Sequence, residues 1–229
     1  VAWMIDTYGD EAQRSNWIPK LASMDILASY CLTEPSSGSD AASLKTKATL
    51  KGDHYVLEGS KAFISGAGTS GLYLVMARTG DDSAKGISAF LVEDGMKGLS
   101  FGAQEKKMGW KSQPTAVVNF DQVEVPVENR LGEEGMGFKF AMSGLDGGRV
   151  NIASCSLGGA GDAITRTLDY MNERKQFGKR LSDFQALQFK LSDMVTELES
   201  AKLMVYRAAH MIDINHAEKT KFCAMAKRL

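Results

Sequence analysis

The sequence predicts an α+β fold, in which a central antiparallel β-barrel or sandwich domain is followed by a bundle of long helices. Between residues 30 and 128, short β-branched and aromatic runs alternate with turn residues about every 8–12 positions, a pattern typical of a closed or sandwich-like β domain. From Gly132 onward, apolar residues recur every three or four positions, which indicates amphipathic helices. Because strands and helices are segregated along the chain, a Rossmann βαβ unit is excluded.

The individual elements follow from local pattern. Residues 11–27 are weakly helical, and Pro19 is expected to confine any regular helix to one side of it. Gly52 and Asp53 predict a hairpin turn, because glycine adopts positive φ at little cost. Strands are predicted at residues 43–51, 54–58, 61–65, 72–78, 86–92 and 115–120, and helices at residues 138–157, 163–174, 182–211 and 218–229. The third of these helices carries an apolar stripe expected in the bundle core, formed by Leu187, Leu191, Met194, Val195, Leu198, Ala201 and Val205.

Composition excludes several classes of protein. The 229 residues are 44% hydrophobic and 24% charged, which is globular rather than disordered or disulfide-dense. With 27 basic and 28 acidic residues, the net charge of −1 argues against nucleic-acid binding. The apolar runs are strand-sized, so no membrane span is expected. Three cysteines without CxxC spacing indicate a reducing compartment and no structural zinc. Three regions are expected, at residues 1–28, 29–131 and 132–229, and both ends read as cuts through structure.

Common catalytic and binding motifs are missing or out of context. Residues 66–71 read GAGTSG, a literal GxGxxG, but a dinucleotide site needs a helix after this loop and the next residues predict a strand. The three histidines form no HExxH or Cys/His pattern, so no metal site is predicted. There is also no GxSxG nucleophile elbow.

Residues 30–43, YCLTEPSSGSDAAS, are the most informative segment. Their residue types predict a strand followed by a turn that is rich in hydroxyls and backbone amides. Such a turn either binds an anion or is an ordinary loop. The string closely resembles the first signature of the acyl-CoA dehydrogenase family. The positions that fit that signature are Cys31, Leu32, Thr33, Glu34, Ser37, Gly38, Ser39, Asp40 and Ser43.

Other segments support the resemblance in the same order along the chain. Residues 61–65 (KAFIS) resemble the flavin strand of the family, Met108 and Gly109 its mid-domain turn, and residues 173–178 (ERKQFG) its ERxxFG element. The resemblance runs from about Tyr8 to the last residue. Residues 147–157 together with 61–66 are most similar to family members that act on short branched acyl-CoA.

The resemblance implies FAD as cofactor and an acyl-CoA thioester as substrate. It places Phe63 where the family stacks an aromatic on the flavin, Ser65 at the N5/O4 edge, and Arg174 on the pyrophosphate of a neighbouring subunit's FAD. The implied cofactor-binding residues are Tyr30, Cys31, Leu32, Thr33, Ser39, Phe63, Ile64, Ser65, Arg174, Phe177, Phe184 and Gln185. The implied substrate-binding residues are Ser39, Asp146, Gly147, Gly148 and Arg149.

No catalytic residue is assigned to this chain. The family's base is a glutamate, which in one branch lies just before the helix arginine, where this chain has Gly148; in the common branch it lies in a later loop that the chain does not contain. The two glycines either leave room for a methyl-branched acyl group or allow close helix packing.

The resemblance implies dehydrogenation of a short, branched acyl-CoA, with electrons passed to electron-transfer flavoprotein. It further implies a homotetramer, a dimer of dimers, in the mitochondrial matrix, or in the cytoplasm of a bacterial source. The alternatives are an acyl-CoA oxidase or other flavoprotein of this fold, and a non-catalytic acyl-CoA-binding relic.

Overall fold

The computed structural model describes residues 1–229, which form two compact units, Val1–Gly144 and Leu145–Leu229. The helices are α1 (Ala2–Tyr8), α2 (Glu11–Ala22), α3 (Gly137–Glu173), α4 (Gln185–Asp213) and α5 (Lys219–Arg228). The strands are β1 (Ala28–Cys31), β2 (Lys47–Lys51), β3 (His54–Ser65), β4 (Leu72–Arg78), β5 (Ile87–Glu93), β6 (Leu99–Phe101), β7 (Thr115–Pro126), β8 (Arg130–Leu131), β9 (Lys175–Gln176) and β10 (Lys179–Arg180).

The first unit is built on one eight-stranded sheet. Its strands follow the order β6-β7-β3-β2-β4-β5-β8, and β1 pairs with β4. The α+β class is confirmed, but the expectation of a closed antiparallel barrel is wrong. The path is open, and β4 pairs in parallel with both β1 and β2. Short sequence spacing suggested antiparallel neighbours throughout, whereas β1 returns to β4 over a long connection.

The sheet curves around one apolar core. Alternate residues of β3, β4, β5 and β7 point into it, and the rings of Tyr55 and Phe90 meet there at 4.8 Å between centroids. Tyr73 of β4 also packs against Phe101 of β6, with tilted rings whose centroids are 5.4 Å apart. A curved sheet thus buries its inner face without closing. The opposite face is also covered at β4, because Leu72, Leu74 and Met76 lie outside this core and are fully buried.

Strand predictions are confirmed in type, with shifted ends. The segment at 72–78 is β4, so the GAGTSG loop leads into a strand as predicted. Lys51 pairs with His54 across the Gly52–Asp53 turn, where Gly52 has φ +65°. The separate strands predicted at 54–58 and 61–65 are one strand, β3, because a bulge rather than a break accommodates Gly59.

Two helix boundaries predicted from proline and glycine are wrong. Helix α2 continues through Pro19 to Ala22, since proline removes one donor and the helix ends only three residues later. The helices predicted at 138–157 and 163–174 are one helix, α3. Glycine at 158, 159 and 161 costs about 1 kcal/mol each relative to alanine, which the long flanking helical segments tolerate.

The second unit packs α5 and the C-terminal half of α4 against α3. Its core holds Val150 and Ala153 of α3, Val205 and Ala208 of α4, and Phe222, Cys223 and Ala226 of α5. Of the stripe predicted on α4, Val205 is buried, but Met194 and Val195 are 44% and 42% exposed. The expected bundle core therefore forms only toward the C-terminal end of α4. No helix in the chain combines the length and apolar character needed to span a bilayer.

Candidate functional site

A bulge in β3 presents Phe63 to solvent. The register between β3 and β7 shifts between Lys61 and Ile64, and Phe63 in the bulge has φ +57°. Positive φ is unfavourable for an aromatic residue and is characteristic of functional positions. The ring is 67% exposed, whereas the next side chain, Ile64, is 2% exposed and lies in the core. The bulge therefore turns an aromatic face outward on a rigid strand.

Thr33 lies beside this bulge. Its carbonyl accepts a hydrogen bond from the Ala62 N–H at 2.8 Å, which ties the end of β1 to β3. Ser65 closes the bulge, and its carbonyl accepts from the Ser29 hydroxyl at 2.7 Å. The hydroxyls of Thr33 and Ser65 make no hydrogen bond within the chain, so both remain available as donors beside the exposed ring.

The other predicted flavin-strand residues face inward. Cys31 is fully buried in the sheet core and Leu32 is nearly so. Burial raises the pKa of the Cys31 thiol to about 12, which leaves it neutral and unreactive. Tyr30 donates its hydroxyl to the Ala141 carbonyl at 3.2 Å, and burial raises its pKa. Cys31, Leu32 and Ile64 can therefore contact a ligand only through their backbone.

A buried ion pair supports this region from behind. Lys61 is completely buried, and its Nζ lies 2.8 Å from Glu34 Oε1 and 3.0 Å from the Leu32 carbonyl. The Glu34 carboxylate also accepts the N–H groups of Lys45 and Thr46, at 2.7 and 3.0 Å. Burial lowers the pKa of Lys61. Burial opposes ionisation of Glu34, but Lys61 and the two N–H donors outweigh it and hold the Glu34 pKa below its usual value.

Ser39 lies in the exposed loop after this pair. Glu34 and Ser37 exchange two backbone hydrogen bonds, at 2.9 and 3.1 Å, which close the turn. The Ser37 hydroxyl donates to the Asp40 carbonyl at 2.6 Å. Ser39 itself is exposed, and its side chain has no partner in the chain. The turn therefore holds a free hydroxyl at the surface of the first unit.

In the second unit, the predicted substrate residues lie in one turn of α3. Asp146 Oδ1 lies 2.7 Å from Arg149 Nη1, and Asp146 Oδ2 accepts the Thr220 hydroxyl at 2.6 Å. Both carboxylate oxygens are therefore engaged, while Arg149 stays about one-third exposed. A Cβ added at Gly147 or Gly148 would meet nothing within 4 Å, so no helix of this chain packs closely there.

A second predicted group gathers where α3 ends. The β9–β10 hairpin follows Arg174, which is exposed, and Phe177 at its tip has φ +52° and is 93% exposed. The rings of Phe177 and Phe184 lie edge to face at 6.3 Å, and Gln185 begins α4 with an exposed side chain. The structure therefore brings Arg174, Phe177, Phe184 and Gln185 together.

The two groups of the second unit are far apart. About 40 Å of helix axis separates Asp146 from Glu173 at the end of α3. A ligand the size of one dinucleotide does not bridge that distance. If both groups bind one kind of ligand, they bind different copies of it.

Sequence reasoning missed two residues of these arrangements. Lys61 was only part of a motif, and Thr220 was not singled out. The pairing of Glu34 with Lys61, and of Thr220 with Asp146, spans 27 and 74 positions and leaves no local signal. For the pair of Glu34 and Lys61, the only signal in the sequence is a lysine at a strand position directly before apolar residues, which indicates a buried charge that needs a partner. No group of three or more histidine, cysteine or acidic side chains is arranged to hold a metal ion.

Comparison with known proteins identifies relatives over the whole chain. Residues 29–123 match the family described as acyl-CoA dehydrogenase, middle domain, and residues 135–229 match acyl-CoA dehydrogenase, C-terminal domain. The chain is 53% identical over 227 residues to the mitochondrial isobutyryl-CoA dehydrogenase of Dictyostelium discoideum, covering 99% of the chain and 55% of that protein. The chain therefore spans about half the length of this curated relative.

Solved structures agree with the sequence comparison. The butyryl-CoA dehydrogenase of Megasphaera elsdenii superposes with a TM-score of 0.96 at 42% identity, over 99% of this chain and 60% of that one. A structure from work on the electron transferring flavoprotein of Acidaminococcus fermentans superposes with a TM-score of 0.95 at 43% identity, over 98% of this chain and 59% of that one. The predicted similarity to family members that act on a short branched acyl-CoA is confirmed by the sequence identity to isobutyryl-CoA dehydrogenase.

Proposed function

Because the chain belongs to the acyl-CoA dehydrogenase family, we propose that it is the flavin- and substrate-contacting part of an FAD-dependent enzyme that oxidises a short, branched acyl-CoA to the 2-enoyl-CoA. The observation that carries the proposal is the bulge in β3, which holds the Phe63 ring outward beside two free hydroxyls. An exposed aromatic face flanked by hydrogen-bond donors fits a planar, acceptor-rich ring such as isoalloxazine.

Different residues of the first unit would contact different parts of the isoalloxazine ring. FAD, when bound, supplies the hydride acceptor for oxidation of the substrate's Cα–Cβ bond. Phe63 offers a stacking face, and Thr33 and Ser65 offer hydroxyls to polar atoms of the ring edge. Fixed donors stabilise negative charge as it develops, without reorganisation at the moment of reaction. Tyr30, Cys31, Leu32 and Ile64 supply the backbone frame.

Each unit offers its own proposed substrate contacts. Ser39 offers its free hydroxyl to the CoA portion of the thioester. Arg149 keeps part of its guanidinium free beside Asp146, which suits a polar or anionic group of CoA. The open space at Gly147 and Gly148 supports room for a branched acyl group rather than close packing within the chain. No residue of this chain is proposed as the catalytic base.

The assembly proposed is a homotetramer that shares FAD sites between subunits. About 40 Å of α3 separates Asp146 from Glu173, which supports sharing, because the group formed by Arg174, Phe177, Phe184 and Gln185 is then too far from Arg149 to bind the same ligand. We propose electron-transfer flavoprotein as the electron acceptor. The compartment proposed is the mitochondrial matrix for a eukaryotic source, as in the Dictyostelium relative's name, and the cytoplasm for a bacterial one.

Anaerobic flavin reduction tests the proposal. The full-length holoenzyme is mixed with isobutyryl-CoA or n-butyryl-CoA, and bleaching of the flavin is followed by stopped flow. We expect fast bleaching with isobutyryl-CoA, and turnover when electron-transfer flavoprotein is added. Peroxide formation in air without that acceptor would instead identify an oxidase. A purified full-length protein that retains no FAD would contradict the proposal and indicate a binding protein.

A further inference from the structure

We propose that Thr220 is a positioning residue for substrate binding: through the Asp146 carboxylate it fixes the Arg149 guanidinium. This rests on the proposed function, in which Arg149 contacts the acyl-CoA. It also reassigns Asp146, which the sequence places among the substrate contacts, to a positioning task. Three residues from two helices then act as one unit.

The geometry of the carboxylate is the first support. Asp146 is 5% exposed, and each of its oxygens is already engaged, Oδ1 by Arg149 at 2.7 Å and Oδ2 by Thr220 at 2.6 Å. Hydrogen bonds to an ionised group are short and stronger than neutral ones. A carboxylate held by two chain donors at these distances directs its charge at Arg149 rather than at a ligand.

The packing of α5 is the second support. Thr220 is the second residue of α5, and the helix is held against α3 by Phe222 and Cys223, which lie in the core shared with Val150. The hydroxyl of Thr220 therefore arrives at Asp146 from a rigid element and not from a loop. Because Thr220 fixes Asp146 Oδ2, it also sets the orientation in which Oδ1 accepts the hydrogen bond from the Arg149 guanidinium.

The exposure of Arg149 is the third support. Its side chain is 31% exposed, and its only hydrogen bond within the chain is the one to Asp146. A surface arginine with one partner samples many rotamers unless that partner is itself fixed. Loss of the Thr220 bond frees the Asp146 carboxylate to rotate. The Arg149 side chain then samples more rotamers, and ordering it on the substrate costs more entropy. Substrate binding is therefore weakened, whereas the rate of the chemical step is unchanged.

The test compares Thr220→Val with Thr220→Ser in the full-length holoenzyme. Thr220 is exposed and valine has the same shape, so the variant keeps the fold. We expect Thr220→Val to raise both KM for isobutyryl-CoA and the Kd for CoA, measured by calorimetry, by roughly three- to tenfold, since ordering a less restrained Arg149 side chain in the complex costs more conformational entropy. The kcat and FAD content should stay at wild-type values, Tm should fall by only a few degrees because one bond to the Asp146 carboxylate is lost, and Thr220→Ser should restore binding.

A matched control and a double-mutant cycle test whether Thr220 acts through Asp146 and Arg149. Thr196→Val removes a hydroxyl that bonds only the Ser192 carbonyl of its own helix, and it should change neither KM nor Kd. In an Arg149→Met background, Thr220→Val should add no further loss, because no guanidinium is left for the Asp146 carboxylate to orient.

Four outcomes overturn the inference. They are unchanged KM and Kd in Thr220→Val, a loss that Thr220→Ser does not rescue, a loss in kcat instead of KM, and additive effects in the cycle. If the wild-type flavin is reduced normally while any of these is observed, only the role of Thr220 is wrong. If no acyl-CoA reduces the wild-type flavin, the proposed function fails and this inference fails with it.

Discussion

Removing Lys61 tests how strongly the buried ion pair holds the flavin strand. Lys61→Met keeps the length and apolar stem of the side chain but leaves the Glu34 carboxylate buried without its ammonium partner. Breaking a buried pair in this way costs about 3–5 kcal/mol. Glu34 retains two N–H donors, from Lys45 and Thr46, so we expect the lower end, about 3 kcal/mol. A shift of about 2–4 °C per kcal/mol applies to 150–250 residues and is about half as large for a protein twice this length, so the Tm of the full-length protein should fall by about 3–6 °C.

Equilibrium urea unfolding and thermal melts of the full-length protein measure this effect. The control is Lys51→Met, at an exposed position at the end of β2, which should stay within about 0.5 kcal/mol of wild type. Replacing both partners, as in Glu34→Gln/Lys61→Met, should recover part of the loss, because no charge is then left buried and the amide oxygen can still accept a hydrogen bond from the Lys45 or Thr46 N–H. A single variant within 1 kcal/mol of wild type, or a double variant less stable than Lys61→Met, would refute the reasoning.

Four further outcomes are expected. Ser65→Ala in the full-length enzyme should slow flavin reduction by about a hundred- to thousandfold, as for loss of one oxyanion-hole donor, while substrate Kd changes little; unchanged stopped-flow bleaching would remove Ser65 from the site. Arg174→Ala should lower the FAD content while circular dichroism shows the fold intact, and a monomer with full flavin occupancy would contradict sharing between subunits. Gly148→Glu should reduce kcat/KM for isobutyryl-CoA more than for n-butyryl-CoA, since the carboxylate enters open space; equal losses would show that the glycine does not select the branch. Because the Glu34 pKa is lowered in the fold, its stabilisation is present above the ordinary value of 4.5 and is lost as pH falls through the folded pKa, so Glu34→Gln should flatten the acid limb of stability measured by urea midpoints.

Local pattern was sufficient for most elements and for the location of the signature loop. The strand at 72–78, the Gly52–Asp53 turn and the helical character of the chain after Gly132 follow from side-chain periodicity and turn residues, which act over a few positions. The predicted helix boundaries were wrong where the low helix propensity of a single residue is outweighed by the helical residues on both sides of it. Pro19 and the glycines after residue 157 are breakers by propensity, but a long helix with enough other hydrogen bonds carries them.

The sequence by itself determined which chemistry is present: the hydroxyls of Thr33, Ser39 and Ser65, the aromatic face of Phe63 and the guanidinium of Arg149 are all readable from motifs. Only the tertiary structure decided where these groups lie and which of them are exposed. The bulge that turns Phe63 outward needs β7 as a partner, because a register shift exists only between two strands.

The same holds for the groups that support the site. Glu34 with Lys61, and Asp146 with Thr220, are brought together by folding across 27 and 74 positions, and no local pattern encodes such distances. The strand order of the sheet likewise depends on β1 and β2 each pairing with β4 in parallel, which joins segments distant in sequence. Side-chain identity is local, whereas pairing, burial and charge compensation are properties of the packed chain.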